Sequence, residues 1–188
     1  MDEMYETAKK TTEELGKFDD FTTDESENLY RMLSLGALKY FILKVDPKKT
    51  ILFNPDESID FNGNTGPFIQ YTHARIKSVL RKAADQGMEY QNKIQVFPLF
   101  SEKEKSLIKL LHEYPQVVLL AAEIYSPALV ANYVFELARE YNQFYHEFPM
   151  LKETNPLLQH FRLALSAFTA RVIQSATALL GIEVPERM

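Results

Sequence analysis

The chain contains no cysteine and no tryptophan among its 188 residues. Without cysteine, the protein has no disulfide framework, no thiolate metal site and no cysteine nucleophile. This absence fits a reducing compartment, and we expect a cytoplasmic location. A glycine-rich phosphate loop is absent too, since the string GNTG at residues 63–66 lacks the lysine and hydroxyl residue of a P-loop.

Basic charge is not in excess: the formal net charge is -5 and the isoelectric point is about 5.5. Dedicated nucleic-acid binders usually have a basic domain, so this balance allows only a local basic stripe. The sequence has no apolar run near the ~20 residues of a membrane span, and we expect no membrane partner. The first residues, MDEMYETAKK, are polar and acidic, so we expect no signal peptide.

Histidines and carboxylates do not form a recognisable reactive pattern. The four histidines have no metal-site spacing, so surface or helix-packing positions are the simpler interpretation. Acidic residues are frequent, but nothing in their spacing brings two of them into one pocket. We therefore predict no catalytic residue and no metal site. The histidines are His73, His112, His146 and His160.

Capping signals divide the chain into helices. Thr22 with Glu25, and Ser101 with Glu104, have the spacing of capping boxes. Apolar residues recur at helical spacing after each signal, and about seven helices are predicted. The joint near residues 44–66 is irregular, with a short extended piece possible at 51–53. The fold class is thus mainly α, with an antiparallel bundle from about residue 64 onward.

The predicted boundaries follow from glycine, proline and capping residues. Pro47 should end the second helix near Val45, and the segment after Pro115 is expected to be a separate buried helix, although propensity alone would allow a strand. The predicted helices cover 2–15 with Gly16 as its cap, 22–45, 67–84, 101–113, 116–125, 127–145 after an N-cap at Ser126, and a last helix to Leu180 capped by Gly181; Pro55 is expected at a first helical position.

The segment FNGNTGPFIQYTHAR, residues 61–75, breaks the backbone and then presents aromatic and basic residues. Phe68, Tyr71 and Arg75 are at i, i+3 and i+7, on one face of the predicted helix. Rings stack on unpaired bases, and arginine adds donors for a base or phosphate. Spacing alone still favours the simpler interpretation, because apolar stripes at helical spacing usually face a core. The most basic stretch follows directly, at Arg75, Lys77, Arg81 and Lys82.

Read as a whole, this segment closely resembles the junction between the catalytic and anticodon-binding domains of arginyl-tRNA synthetases. LGALKYFILKVDPKKTILFNPDESIDF resembles the end of the family's catalytic half. ALVANYVFELAREYNQFYHEFPML resembles its bundle helix and following loop, and RLALSAFTARVIQSATALLGIEVPERM its last helix and C-terminus. The matching strings occur in the family's order and cover nearly the whole chain.

The resemblance implies a division into 1–62, a C-terminal remnant of the catalytic half, and 63–188, an α-helical anticodon-binding domain. Neither a HIGH-like nor a KMSK-like motif is present, so we expect a chain that starts after the KMSK loop and binds no ATP or arginine. The parent enzyme would use ATP with Mg to attach arginine to its tRNA. The implied partners are arginine tRNA, through its anticodon loop, and the rest of the catalytic domain, with the protein a monomer.

The resemblance also implies site residues. The second anticodon base, a cytosine, is the main identity element of the family. One of the implied residues, Phe68, differs slightly from the family pattern, which often has tyrosine at this position. The missing hydroxyl removes one hydrogen bond. At the junction, Gly63 and Gly66 are expected to let the backbone bend, and both Asn64 and Thr65 are expected to be able to cap the next helix. The implied anticodon-binding residues are Phe68, Tyr71, Arg75, Tyr145 and Met188, and the junction residues are Gly63, Asn64, Gly66 and Pro67.

Two alternatives stay open. One is a helical domain of another class I synthetase, against which the missing zinc ligands and the PERM ending count. The other is a helical protein-interaction or scaffold domain that does not bind RNA, in which Tyr71, Arg75 and Tyr145 would be dispersed or buried. We also expect residues 1–62 to expose apolar side chains, such as Leu52 or Phe53, where a partner surface is missing.

Overall fold

The computed structural model describes residues 2–14, 21–52, 54, 58–88, 90 and 100–188. Within these residues the secondary structure is entirely helical, with no strand. The prediction of a mainly α fold is confirmed, and Ile51 and Leu52 form no strand. The predictions for Gly16, Phe53 and Pro55 lie outside the described residues.

Six α-helices and one short 3-10 helix make up the described part of the chain. They are α1 Asp2–Glu14, α2 Thr23–Leu43, α3 Gly66–Asp85, α4 Glu102–Glu123, α5 Pro127–Glu147, the 3-10 helix Met150–Lys152, and α6 Pro156–Leu179. α3 packs against α2, α5 and α6, and α4 packs against α5. None of the described helices is long and apolar enough to cross a membrane.

Both predicted capping boxes are present. The Thr22 hydroxyl accepts a hydrogen bond from the Glu25 backbone N–H at 3.3 Å, and the Glu25 carboxylate accepts one from the Thr22 N–H at 2.9 Å. Ser101 and Glu104 form the same reciprocal pair at the start of α4. Ser126 precedes α5 as expected, but its side chain makes no capping hydrogen bond. Gly181 follows α6 with φ +65°, the left-handed conformation that glycine adopts without strain.

One boundary prediction was wrong. α4 runs without a break through Pro115 from Glu102 to Glu123, so the two helices predicted at 101–113 and 116–125 are one. A single buried face, with Leu107, Leu111 and Ala121, runs along α4 on both sides of the proline. Burial of this face outweighs the backbone hydrogen bond that proline removes. The segment after Pro115 is also less buried than expected, since Leu119 is 53% exposed.

Apolar side chains form two clusters. The larger one is built mainly from α3, α4, α5 and α6 and includes Tyr40 from α2. The smaller one, which we call the α1–α2 cluster, contains six buried residues from α1, α2 and the following connector. Its members are Met4, Ala8, Leu29, Leu33, Ala37 and Ile59. Helix α2 therefore contributes to both clusters. Leu52, in the connector, is 92% exposed, as predicted.

A buried ion cluster ties the start of α4 to α6. The Arg162 Nε atom lies 2.8 Å from Glu104 Oε1, and its Nη1 atom lies 2.6 Å from Glu153 Oε2. Its guanidinium also lies over the Phe148 ring, 4.1 Å from the centroid. Hydrogen bonds from the Asn155 N–H, and then the Arg162 charge, lower the pKa of Glu153. The segment between α5 and α6 is thus fixed at both ends.

Helices α2 and α3 approach each other at two glycines. A Cβ atom on Gly66 would lie 2.5 Å from the Gly36 carbonyl oxygen, which is a backbone atom. The backbone does bend at residues 61–65, which include Gly63, but neither Gly63 nor Gly66 has positive φ, so the bend does not use the left-handed conformation that favours glycine. Gly66 is needed because α2 leaves no room for a side chain.

Gly66→Ala should therefore destabilise the protein by about 1–3 kcal/mol, because backbone must move to admit the methyl group. Alanine is the better helix former by ~1 kcal/mol, so helix propensity alone predicts the opposite sign. Urea unfolding of the 188-residue chain measures the change.

The matched control for this prediction is Gly63→Ala. A Cβ on Gly63 would meet the carboxylate of Asp60 at 2.8 Å, and this exposed side chain can turn away. We expect a smaller loss from Gly63→Ala than from Gly66→Ala. Equal effects would show that the α2–α3 approach does not limit the side chain at residue 66.

Candidate nucleic-acid interface

The start of α3 is fixed by Thr65. Its hydroxyl accepts a hydrogen bond from the Phe68 N–H at 3.2 Å and donates one to the Asp60 carbonyl. Pro67 occupies the first turn, as predicted. Asn64 does not cap the helix; its side-chain oxygen accepts a hydrogen bond from the Tyr40 hydroxyl at 2.5 Å instead. The junction residues therefore fix the start of α3 relative to α2, ahead of Tyr71 and Arg75 in the chain.

Arg75 lies between two tyrosine rings. Its guanidinium carbon is 4.8 Å from the centroid of the Tyr71 ring on α3 and 5.3 Å from that of the Tyr145 ring on α5. Such cation–π contacts are worth ~0.5–1 kcal/mol each at partly exposed sites. Tyr71 is also in edge contact with Phe61, at 6.2 Å between centroids. The planar guanidinium and the two rings are thereby held in one place.

A hydrogen-bond chain orients the arginine. Arg75 Nη1 donates to the Asn142 side-chain oxygen, and Asn142 Nδ2 donates to Thr72 Oγ1 at 2.7 Å and to the Ala138 carbonyl at 2.9 Å. The Thr72 hydroxyl donates to the Phe68 carbonyl at 2.8 Å. Sequence reasoning missed Asn142, because nothing in its local pattern indicates a contact with a residue 67 positions away.

Arg75 and the two tyrosine rings line an open cavity of about 190 Å³, which we call the tyrosine pocket. Four of the five residues implied by the resemblance line it: Tyr71, Arg75, Tyr145 and Met188. All four are half-buried, so they converge on one accessible surface. For a scaffold domain, we expected Tyr71, Arg75 and Tyr145 to be dispersed or buried. The structure disagrees with that expectation. The remaining lining residues are Ala74, Ser78, Val79, Lys82 and Leu151.

Phe68 lies apart from the tyrosine pocket. Its half-buried ring packs on Phe135 of α5, with 5.4 Å between centroids. Phe68 also belongs to the residues that pack against the larger hydrophobic cluster. Spacing predicted one helical face for Phe68, Tyr71 and Arg75. In the structure, Phe68 packs in the bundle, whereas Tyr71 and Arg75 line the pocket.

A second cavity, of about 260 Å³, adjoins the tyrosine pocket. Three residues, Val79, Tyr145 and Leu151, line both cavities. His146 and Lys152 add polar groups at the second cavity. The Tyr145 ring thus stands between two adjacent concave sites.

The C-terminal segment 181–188, which we call the tail, contributes Met188 to the lining of the pocket and is held mainly through its backbone carbonyls. Gln70 Nε2 donates to the Glu183 carbonyl at 2.8 Å, and Arg81 Nη1 donates to the Glu186 carbonyl at 2.7 Å. His73 Nδ1 lies 2.9 Å from the Pro185 carbonyl oxygen. Sequence reasoning did not assign these α3 residues to the tail, since the contacts span over a hundred positions.

Part of the predicted basic stretch is neutralised. Lys77 forms an ion pair with the Glu186 carboxylate at 3.1 Å, and Arg81 is committed to the tail. Lys82 and Arg75 remain as the basic residues of the pocket lining. The local positive charge is therefore smaller than the sequence suggested.

Burial sets the protonation of His73. Its side chain is fully buried, and loss of water around it lowers its pKa, although the Pro185 carbonyl acts in the opposite direction. A neutral imidazole must carry its proton on Nδ1 to donate to that carbonyl. Nε2 is then an acceptor, and it finds no hydrogen-bond partner among the described residues.

The helical bundle belongs to the class of anticodon-binding domains. Residues 69–188 match the model of the DALR anticodon binding domain, and the chain belongs to this family. The matched part begins inside α3, so it contains the tyrosine pocket and the tail but not α1 or α2.

The relatives agree with this assignment. The chain is 57% identical to the arginine–tRNA ligase of Parabacteroides distasonis over 188 residues, which are all of this chain and 32% of the relative. The solved arginyl-tRNA synthetase of Thermus thermophilus is 32% identical, with a TM-score of 0.82 over the whole chain and 32% of that structure. The resemblance to arginyl-tRNA synthetases is confirmed. The chain spans about a third of the length of the relatives it matches.

The depressed pKa of His73 has a consequence for stability. Between its folded pKa and the ordinary value near 6.5, the unfolded chain binds a proton that the folded chain does not. The free energy of unfolding should therefore be highest above this window and fall as the pH drops through it, by at most about 1.4 kcal/mol per pH unit. Urea unfolding between pH 7.5 and about 5 measures the slope.

The control compares two histidine substitutions. His73→Gln should reduce the pH dependence, because the titrating group is gone. His112→Gln, which removes an exposed imidazole of α4, should leave it as in the parent chain. A slope that survives His73→Gln would assign the pH dependence to other groups.

Proposed function

We propose that this chain is the anticodon-binding part of an arginine–tRNA ligase and that the tyrosine pocket receives the second anticodon base, a cytosine. The observation that supports this most is the convergence of Tyr71, Arg75, Tyr145 and Met188 on one open cavity. The scaffold alternative offers no reason for an arginine to be held between two rings beside such a cavity.

The chemistry of the pocket suits an unstacked pyrimidine. Tyrosine rings stack on bases at ~1–3 kcal/mol per base. Arg75 directs one of its five N–H donors to Asn142, and the others can reach the O2 and N3 acceptors of cytosine. Because Asn142 fixes the guanidinium, little conformational freedom is lost when the base binds. Met188 and Leu151 close the apolar side.

We propose a subsidiary role for Phe68. Its ring packs on Phe135 and not in the tyrosine pocket, so the most direct contribution is to hold α3 against α5. The half-buried ring still presents some surface, which allows an edge contact with a neighbouring nucleotide.

The proposal extends to the parent enzyme and its partners. The relatives are ligases about three times the length of this chain, and we propose that residues 1–62 belong to the end of a catalytic half and 63–188 to the anticodon-binding domain. The parent would be a cytoplasmic monomer that binds arginine tRNA.

ATP and Mg would be used by the parent enzyme, outside this chain. The residues described here do not fit that pair: they include no group of three histidine or acidic side chains that could hold a metal ion. The sequence also lacks the HIGH-like and KMSK-like motifs that bind ATP in class I synthetases. This chain alone should neither activate arginine nor transfer it.

The direct test is binding of the chain at low salt to arginine tRNA and to the same tRNA with the second anticodon base changed from C. We expect the parent chain to prefer C, and Tyr145→Ala or Arg75→Ala to weaken binding to the C-containing tRNA by roughly 10-fold or more, which is the loss of one stacked base or one good base contact. The preference for C should disappear in both variants.

Arg139→Ala is the matched control for charge. It removes an exposed guanidinium of α5, which pairs with Glu136 and does not line the pocket. This variant should keep the preference for C. Equal binding of both tRNAs by the parent chain, or an equal loss from Arg139→Ala, would contradict the proposed role of the pocket.

A further inference from the structure

Met188 has contacts on two sides. One side lines the tyrosine pocket with Tyr71 and Arg75. The other packs against the α1–α2 cluster, which lies outside the part of the chain that matches the anticodon-binding family. Through Met188, the pocket is therefore in contact with the part of the chain that precedes the matched residues 69–188.

A second contact joins the same two regions. Phe61 packs against the α1–α2 cluster and meets the Tyr71 ring edge-on at 6.2 Å. Two of the four converging pocket residues, Tyr71 and Met188, are thus supported from the same side. The other two, Arg75 and Tyr145, are held by α3 and α5.

Arg187 anchors the end of the tail to α2. Its Nη2 atom lies 2.5 Å from Glu25 Oε1, and its guanidinium carbon lies 4.2 Å from the centroid of the Phe21 ring. Phe21 itself packs against the α1–α2 cluster. Glu25 belongs to the capping box of α2, so its carboxylate is already held by Thr22. The arginine therefore meets an acceptor that is fixed in advance.

The remainder of the tail is held differently. Side chains of α3 bind three backbone carbonyls of the tail, at Glu183, Pro185 and Glu186, and Lys77 also pairs with the Glu186 carboxylate. Carbonyl contacts fix the path of the chain whatever its side chains are. Arg187 is the residue next to Met188, and its side chain links this end of the tail to α2. At the other end of the tail, Lys39 of α2 donates to the Gly181 carbonyl.

We propose that Arg187 is a positioning residue: through Glu25 and Phe21 it holds Met188 in the tyrosine pocket, so that α1 and α2 contribute to base selectivity. This inference rests on the proposed function of the pocket. Because coupling is reciprocal, a base in the pocket should also stabilise the start of α2.

The first experiment needs no RNA. The 188-residue chain is labelled with ¹³C at methionine methyl groups, and the Met188 resonance is assigned with Met188→Leu. Arg187→Ala and Glu25→Gln should each shift this resonance, and the double variant should shift it no further than Arg187→Ala alone. Glutamine at this position retains the capping box, so Glu25→Gln removes the charge and not the cap.

Arg139→Ala serves again as the charge-matched control and should leave the Met188 resonance unchanged. A Met188 resonance that stays the same in Arg187→Ala and Glu25→Gln would overturn the proposal. Additive shifts in the double variant would also overturn it, because they would mean that the two residues act separately.

The second experiment measures selectivity for the second anticodon base. Arg187→Ala removes one exposed ion pair and one cation–π contact, which are both weak interactions, so it should reduce the preference for C by about 5-fold while the chain remains folded. Arg187→Lys, which keeps the charge, should restore part of the preference. Full selectivity in Arg187→Ala would refute the positioning role, whereas a parent chain without any preference would refute the proposed function of the pocket itself.

Discussion

The close approach of α3 to α2 is the constraint on which the site depends. Gly36 and Gly66 bring the two helix backbones together, and Gln70 lies directly over Gly36. From this buried position, Gln70 donates one hydrogen bond to the Met32 carbonyl of α2 and another to the Glu183 carbonyl of the tail. One amide thus joins three segments that are distant in sequence. A side chain at residue 66 would displace the backbone of α2, and one at residue 36 would displace the Gln70 amide.

The contacts of α3 with the tail continue from Gln70 along the helix and end at the tyrosine pocket. Once α3 packs on α2, His73 in its next turn binds the Pro185 carbonyl, and Arg81, about two turns further along, binds the Glu186 carbonyl. The tail then delivers Met188 to the rings on α3 and α5. No hydrogen bond in the series is strong by itself, since a typical net value is ~1 kcal/mol. Their shared geometry, and not any single contact, gives the pocket its shape.

The sequence predicted the features that neighbouring residues determine, namely the helix starts and the faces on which side chains lie. The capping boxes fixed where helices begin, and the i, i+4 spacing put Tyr71 and Arg75 on one face, where the structure has them in contact. Pro115 was misinterpreted because burial along α4 outweighs a local rule. Asn64 was assigned as a cap because its type suits one, but a distant partner, Tyr40, competes for its side chain. Gln70 carried no local signal, since both of its partners are far away in the sequence.

The acidic character of the chain has a physical role in this account. Phosphate attraction is independent of sequence, so strong basic charge would favour every RNA alike. Here Glu186 takes up part of the basic charge of α3 through Lys77, and the net charge of the whole chain is -5. Arg75 keeps its charge at the pocket but is restrained by two rings and Asn142. Under the proposed function, recognition would therefore rely on stacking and directed hydrogen bonds, which discriminate between bases, more than on a basic surface, which does not.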